Sequence, residues 1–109
     1  MMYLLETRQR SVYVFGSERE AVTQAERADV EAGIWRFFDA TGAPLVAVFS
    51  SPNGHGRASS PPGDYRLEPA ASDVLRLQDI LHEVRTGVVH GKLVSVAVLR
   101  ELLAGAAAP

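Results

Sequence analysis

Cysteine is absent from this 109-residue chain, so it can form no disulfide framework, no thiol nucleophile and no cysteine-ligated metal site. A basic surplus is absent too. Lys92 is the single lysine, and 11 lysines and arginines stand against 13 acidic residues, for a formal net charge of −2. Duplex-binding domains carry a clear basic excess, so nucleic acid is not the expected partner. Nor does any apolar run approach the roughly 20 residues that span a bilayer. The longest, Leu93 to Leu99, is interrupted by Ser95. Glu6 cuts short the opening Met2-Tyr3-Leu4-Leu5 before a signal-peptide core can form. The expected setting is therefore the cytoplasm, with no membrane partner. Internal repeats and heptads are missing as well. What is present, 47% hydrophobic and 22% charged residues, fits one globular domain over residues 1–109, long enough to bury a real core.

Pattern and punctuation suggest the elements. Tyr3-Leu4-Leu5 and Ser11-Val12-Tyr13-Val14-Phe15 are apolar runs joined by polar Thr7-Arg8-Gln9-Arg10, which predicts a hairpin. Gly16 breaks the second run, and Ser17-Glu18-Arg19-Glu20 has the form of a capping box. The helix that follows places Ala21, Val22, Ala25 and Ala28 on one stripe, with Arg19, Thr23, Glu26 and Arg27 opposite, and stops at Gly33. Ile34 to Phe38 and Leu45 to Phe49 read as strands across Asp39-Ala40-Thr41-Gly42, a type I turn whose Gly takes positive φ. Pro44 puts the start of the second strand on an edge or beyond the proline. Residues 50–63 hold little besides Ser, Pro, Gly, Asn, His and Arg, the composition of a mobile loop.

After a short strand at Tyr65-Arg66-Leu67-Glu68, Ser72 can cap a helix with Val74, Leu77, Ile80, Leu81 and Val84 on one face and Gly87 at C′. The stretch 93–99 is ambiguous: Val94, Val96 and Val98 alternate as a strand, while Val96, Leu99, Leu102 and Leu103 form a helical face. A helix from about Ser95 to Ala104 is preferred, with residues 105–109 frayed. The order β-β-α-β-β-β-α-α implies an α+β fold, an antiparallel sheet of about five strands with two to three helices on one face.

Three histidines are the first place to look for chemistry. His82 lies at i+3 from Asp79, the spacing of a base and its orienting carboxylate, though a solvated pair is the commoner outcome. His55 sits in the 50–63 segment and His90 beside Gly91 in an expected inter-helix turn; none has the short local spacing of a zinc site, so no metal and no cofactor is expected. Asn53-Gly54-His55-Gly56-Arg57 has the glycines of an anion-binding loop but precedes Pro61-Pro62 rather than a helix. In the third strand Trp35 and Phe37 face one way, Ile34 and Phe38 the other. With Tyr13 and Phe15 beside them, Trp35 and Phe37 make an aromatic sheet face that helices on one side would leave bare. Such a patch marks a protein partner or a homodimer contact.

The residues Phe15-Gly16-Ser17-Glu18 with Ala21, then Ala25-Glu26, Asp29-Val30-Glu31 and Gly33, then Trp35, Phe37, Asp39 and Gly42, resemble those of small bacterial immunity proteins from polymorphic or contact-dependent toxin systems. The similarity covers residues 15 to about 49. It implies inhibition by binding, in which carboxylates compete for the basic cleft of a nuclease toxin. Under that resemblance Glu20, Glu26, Asp29 and Glu31 are the candidate contacts, with Trp35 as an aromatic anchor. The leading expectation is thus a non-enzymatic protein-binding module. The alternatives are a small enzyme or ligand-binding protein using His82, Asp79 and Arg85 or the His55/Arg57 loop, and a self-associating structural subunit.

Overall fold

The computed structural model describes residues 1–49 and 65–107; the loop expected at 50–63 and the last two residues lie outside them. The described residues form seven strands and four α-helices, in the order β1 (Met2–Glu6), β2 (Ser11–Phe15), α1 (Glu18–Gln24), α2 (Arg27–Glu31), β3 (Trp35–Phe38), β4 (Pro44–Phe49), β5 (Tyr65–Pro69), α3 (Leu77–Ile80), β6 (Thr86–Val89), β7 (Lys92–Val94) and α4 (Val96–Ala107). A 3-10 turn, Leu81–Glu83, extends α3. The strands form one sheet in the order β5-β4-β3-β1-β2-β6-β7. The fold is α+β as expected, but the sheet is larger and mixed, because β6 runs parallel to β2 while every other pairing is antiparallel.

The first hairpin forms as its pattern predicts, in register Met2↔Phe15 to Glu6↔Ser11. The Glu6 carboxylate closes its turn by accepting the N–H groups of Arg8 at 2.9 Å and Gln9 at 3.0 Å. Burial alone would push the acidity of Glu6 down, yet those N–H donors and the Arg8 guanidinium outweigh it and hold its pKa below the usual value. The Asp39 turn also forms as read: Gly42 has φ 84, and its N–H donates to the Asp39 carbonyl at 2.9 Å. Pro44 is neither on an edge nor excluded from its strand. It is the first residue of β4, an interior strand, and a missing donor is tolerated at that position.

Helices pack on both faces of the sheet, which corrects the one-sided arrangement. Tyr3, Leu5, Val12 and Phe38 pack against Leu77, Ile80, Leu81, Leu99 and Leu103 on one face. On the other, Met2, Leu4, Phe37 and Tyr65 pack against Ala21, Val22 and Ala25. Tyr13, Phe15, Trp35 and Phe37 do share this second face, but α1 and α2 cover it, and the dimer contact expected there loses its premise. Alanines at 21 and 25 are what let α1 lie that close.

Three helix readings also change. The first helix breaks at Ala25 (φ −91, ψ 98), so Arg27, placed on the polar side by a continuous helix, is buried and Ala28 is exposed. The helix expected from Ser72 starts only at Leu77, and the Asp79 carboxylate accepts the Arg76 N–H at 3.1 Å at its start. Gly87 is not a helix stop. It lies inside β6, where an added Cβ would come within 2.9 Å of Leu99 Cδ2 and of Val94 Cγ2. At 93–99 both patterns hold in part, a strand to Val94 and a helix from Val96, and that helix runs on through Gly105 to Ala107.

Candidate functional site

A concavity opens where the sheet comes apart. Asp39 pins the β3–β4 turn: its Oδ1 accepts the Thr41 N–H at 2.9 Å, the Thr41 hydroxyl at 2.7 Å and the Ala43 N–H at 3.0 Å. Burial raises the pKa of Asp39, but these donors and nearby Arg76 lower it further, and the net direction is down. The Arg76 guanidinium and the Gln78 amide each donate to the Thr41 carbonyl at 2.7 Å, docking the turn on the start of α3. From this fixed corner β3 and β4 pair only at Phe38↔Pro44 and Phe37↔Leu45. β4 then stays with β5 through Phe49↔Tyr65. Beyond Phe37 the strands part, leaving a cleft of about 340 Å³. Trp35 and Arg36 form one side, Val46, Ala47 and Phe49 the other, and Val30 and Glu31 of α2 complete the wall.

Arg27 shapes the far end of this wall. Its guanidinium carbon lies 4.7 Å from the Phe49 ring centre, and its side chain pairs with the Glu31 carboxylate one turn later. A buried guanidinium needs such a partner, because an isolated buried charge is very costly. The stacking of Arg27 on Phe49 ties α2 to the last residue of β4.

Beside the cleft the sheet outruns its helices. Pro44, Val46 and Val48 alternate onto the face that carries α3 and α4 elsewhere, yet no residue of β4 or β5 belongs to that core. Val46 is 45% exposed, Val74 37% and Leu75 55%. Arg36, whose guanidinium carbon lies 5.5 Å from the Phe38 ring centre, and the Arg66–Glu68 pair border this apolar area.

The structure divides the residues singled out in the sequence. Glu31 and Trp35 line the cleft, with Trp35 half-buried and edge-on to Tyr13 at 5.5 Å. Glu26 is exposed at the start of α2, and Asp29 is in its first turn, so Asp29 does not oppose the helix dipole as it would at the end of a continuous helix. Glu20 is committed to capping α1: its N–H donates to Ser17 Oγ at 3.2 Å, and its carboxylate accepts the Gly16 N–H at 3.2 Å. For Val46 the sequence signal is its strand, Leu45 to Phe49, apolar on both faces in a chain with few helices to cover it.

The residues of the catalytic alternative are not assembled. His82 and Arg85 are exposed, and no hydrogen bond joins His82 to Asp79 among the described residues. His90 occupies a β-turn, and His55 and Arg57 lie outside the described residues. No group of three His, Asp or Glu side chains able to hold a metal occurs among the described residues. No helix of the described residues is long and apolar enough to cross a membrane. Comparison with protein-family models, with curated proteins and with solved structures finds no match.

Proposed function

We propose that this protein is a non-enzymatic module that binds a protein partner over the β3–β4 cleft and the bare face of β4. One observation carries the reading: large apolar side chains, Val46 and Val74, stay exposed at the lip of an apolar cleft, next to strands β3, β1 and β2 that are covered on both faces. Contiguous exposed apolar surface beside such a cleft is the usual mark of a docking site. Trp35 supplies a half-buried aromatic, the residue type that most often dominates binding energy, and Arg36 and Glu31 supply a charged rim. The cleft is too small to bury a standard interface alone, so a partner would also rest on Val46, Val74 and Leu75.

The similarity of residues 15–49 to immunity proteins favours a toxin domain as that partner, and cytoplasmic action with it. In that case Glu26, Asp29 and Glu31 meet a basic surface and speed association. The test is affinity capture from the native cells on immobilised wild-type protein, Val46→Glu, and the triple variant Glu26→Lys, Asp29→Lys, Glu31→Lys. Wild type should retain a defined partner that Val46→Glu loses with its thermal midpoint unchanged, while the triple variant binds it more slowly at low salt. Equal retention by wild type and Val46→Glu, or none by either, would overturn the reading.

A further inference from the structure

β5 is at one end of the sheet, so its outer edge has no strand beside it among the described residues. The register fixes which backbone groups that edge presents. The Ala70 N–H donates to the Pro44 carbonyl at 3.0 Å, and antiparallel bonding alternates from there. Glu68 and Arg66 therefore exchange their backbone bonds inward with Val46 and Val48, their register partners. Tyr65 and Leu67 turn both N–H and C=O outward, and Pro69 turns out a carbonyl alone.

We propose that β5 is a homodimerisation edge, on which a second copy of this chain pairs antiparallel across a two-fold axis at Leu67. The sequence of the strand is self-complementary about that axis. Leu67 exchanges both backbone bonds with Leu67 of the partner subunit, and the Tyr65 N–H donates to the carbonyl of Pro69 of the partner subunit. Arg66 falls opposite Glu68 of the partner subunit, and Glu68 opposite Arg66 of the partner subunit. These are non-hydrogen-bonded positions, where facing side chains come closest.

In the monomer Arg66 and Glu68 already pair at 2.8 Å while 64% and 46% exposed, so they are available to a partner without unfolding anything. Pro69 supplies no donor, so the ladder ends there, the matched Arg66 and Glu68 favour this register over one that would set Arg66 against itself, and a two-fold contact closes without further growth. The opposite edge, β7, has only three residues and carries Lys92, a poor template by comparison. The proposal is independent of the partner-binding reading, since it uses the rim of the sheet rather than the cleft.

Sedimentation equilibrium of the full chain, from micromolar to hundreds of micromolar, tests it. Wild type should show a monomer–dimer equilibrium. Arg66→Glu and Glu68→Arg should each weaken dimerisation about tenfold or more, because symmetry sets two like-charged pairs face to face. An equimolar mixture of these two variants should recover dimer, as a heterodimer with every charge matched. The double variant Arg66→Glu/Glu68→Arg should dimerise like wild type, and it decides the matter if a single variant folds poorly. A wild type that stays monomeric throughout, including one whose edge takes an extended peptide of another protein instead, overturns the proposal. So does a dimer indifferent to both reversals, or a mixture that stays monomeric.

Discussion

Two buried tyrosines show how one hydroxyl can support the fold while another does not. Tyr65 lies beneath α1, and its O–H donates to the Ala25 carbonyl and, at 3.4 Å, to the Val22 carbonyl. These belong to the carbonyls that the end of a helix leaves without partners, so a residue of β5 completes a helix distant in sequence. Tyr65→Phe should cost about 1–2 kcal/mol and lower the thermal midpoint by several degrees. Burial pushes the Tyr65 pKa up to about 12 from 10.0. The folded state thus favours the protonated phenol; its contribution is complete below pH 10 and declines as pH rises from 10 toward 12. Alkaline unfolding of wild type should be steeper across that window than that of Tyr65→Phe. Tyr3 is the contrast. It is fully buried, and its hydroxyl has no hydrogen-bond partner among the described residues. Tyr3→Phe should leave stability unchanged or raise it by up to about 1 kcal/mol, since the penalty of an unsatisfied buried hydroxyl disappears. Loss of more than about 1 kcal/mol in urea titration would contradict this assignment.

At the scale of elements, the sequence was most readable where local chemistry decides. Glu20 behind Ser17, and Asp39 before Gly42, marked a helix start and a hairpin because each cap or turn is satisfied within a few residues. It was least readable where distant packing decides. Ser72 had the chemistry of a cap, but Leu77, Ile80 and Leu81 are what meet the core, so the helix forms only there. At the break the Ala25 carbonyl accepts the Tyr65 hydroxyl, a contact distant in sequence that no local pattern announces. The β6–β7 hairpin did carry a signal. Thr86, Val88 and Val89 are β-branched, and His90-Gly91, with φ of 51 and 75, forms the two-residue turn that favours Gly in second place. Gly87 drew the helix-stop reading because a glycine after an apolar stripe usually means that. Its actual role is close approach beneath α4. Gly87→Ala, placing a methyl within 2.9 Å of the Leu99 and Val94 side chains, should cost about 1–3 kcal/mol by overpacking, measured as a drop in the denaturant midpoint at constant slope. Of the candidate site, Glu31 and Trp35 were legible, whereas Val46 depended on knowing where the helices end.

The whole molecule is asymmetric. Across β3, β1 and β2 the sheet has apolar layers on both sides, whereas β4 and β5 are covered only on the side of α1 and α2. The parting of β3 from β4 falls at that boundary, where the α3–α4 layer stops. This arrangement produces a rigid scaffold and an adjoining apolar face from a single sheet, and it is the basis for reading the protein as a binding module. Its most direct test is amide hydrogen exchange of the protein free and in complex with the partner captured by wild type. Binding at the proposed face predicts slowed exchange concentrated at Trp35 and Arg36, at Val46 to Val48, and across residues 70–75, with α4 and the β6–β7 hairpin unchanged. Protection confined to α4 or to the β6–β7 hairpin, with none along β4, would contradict it.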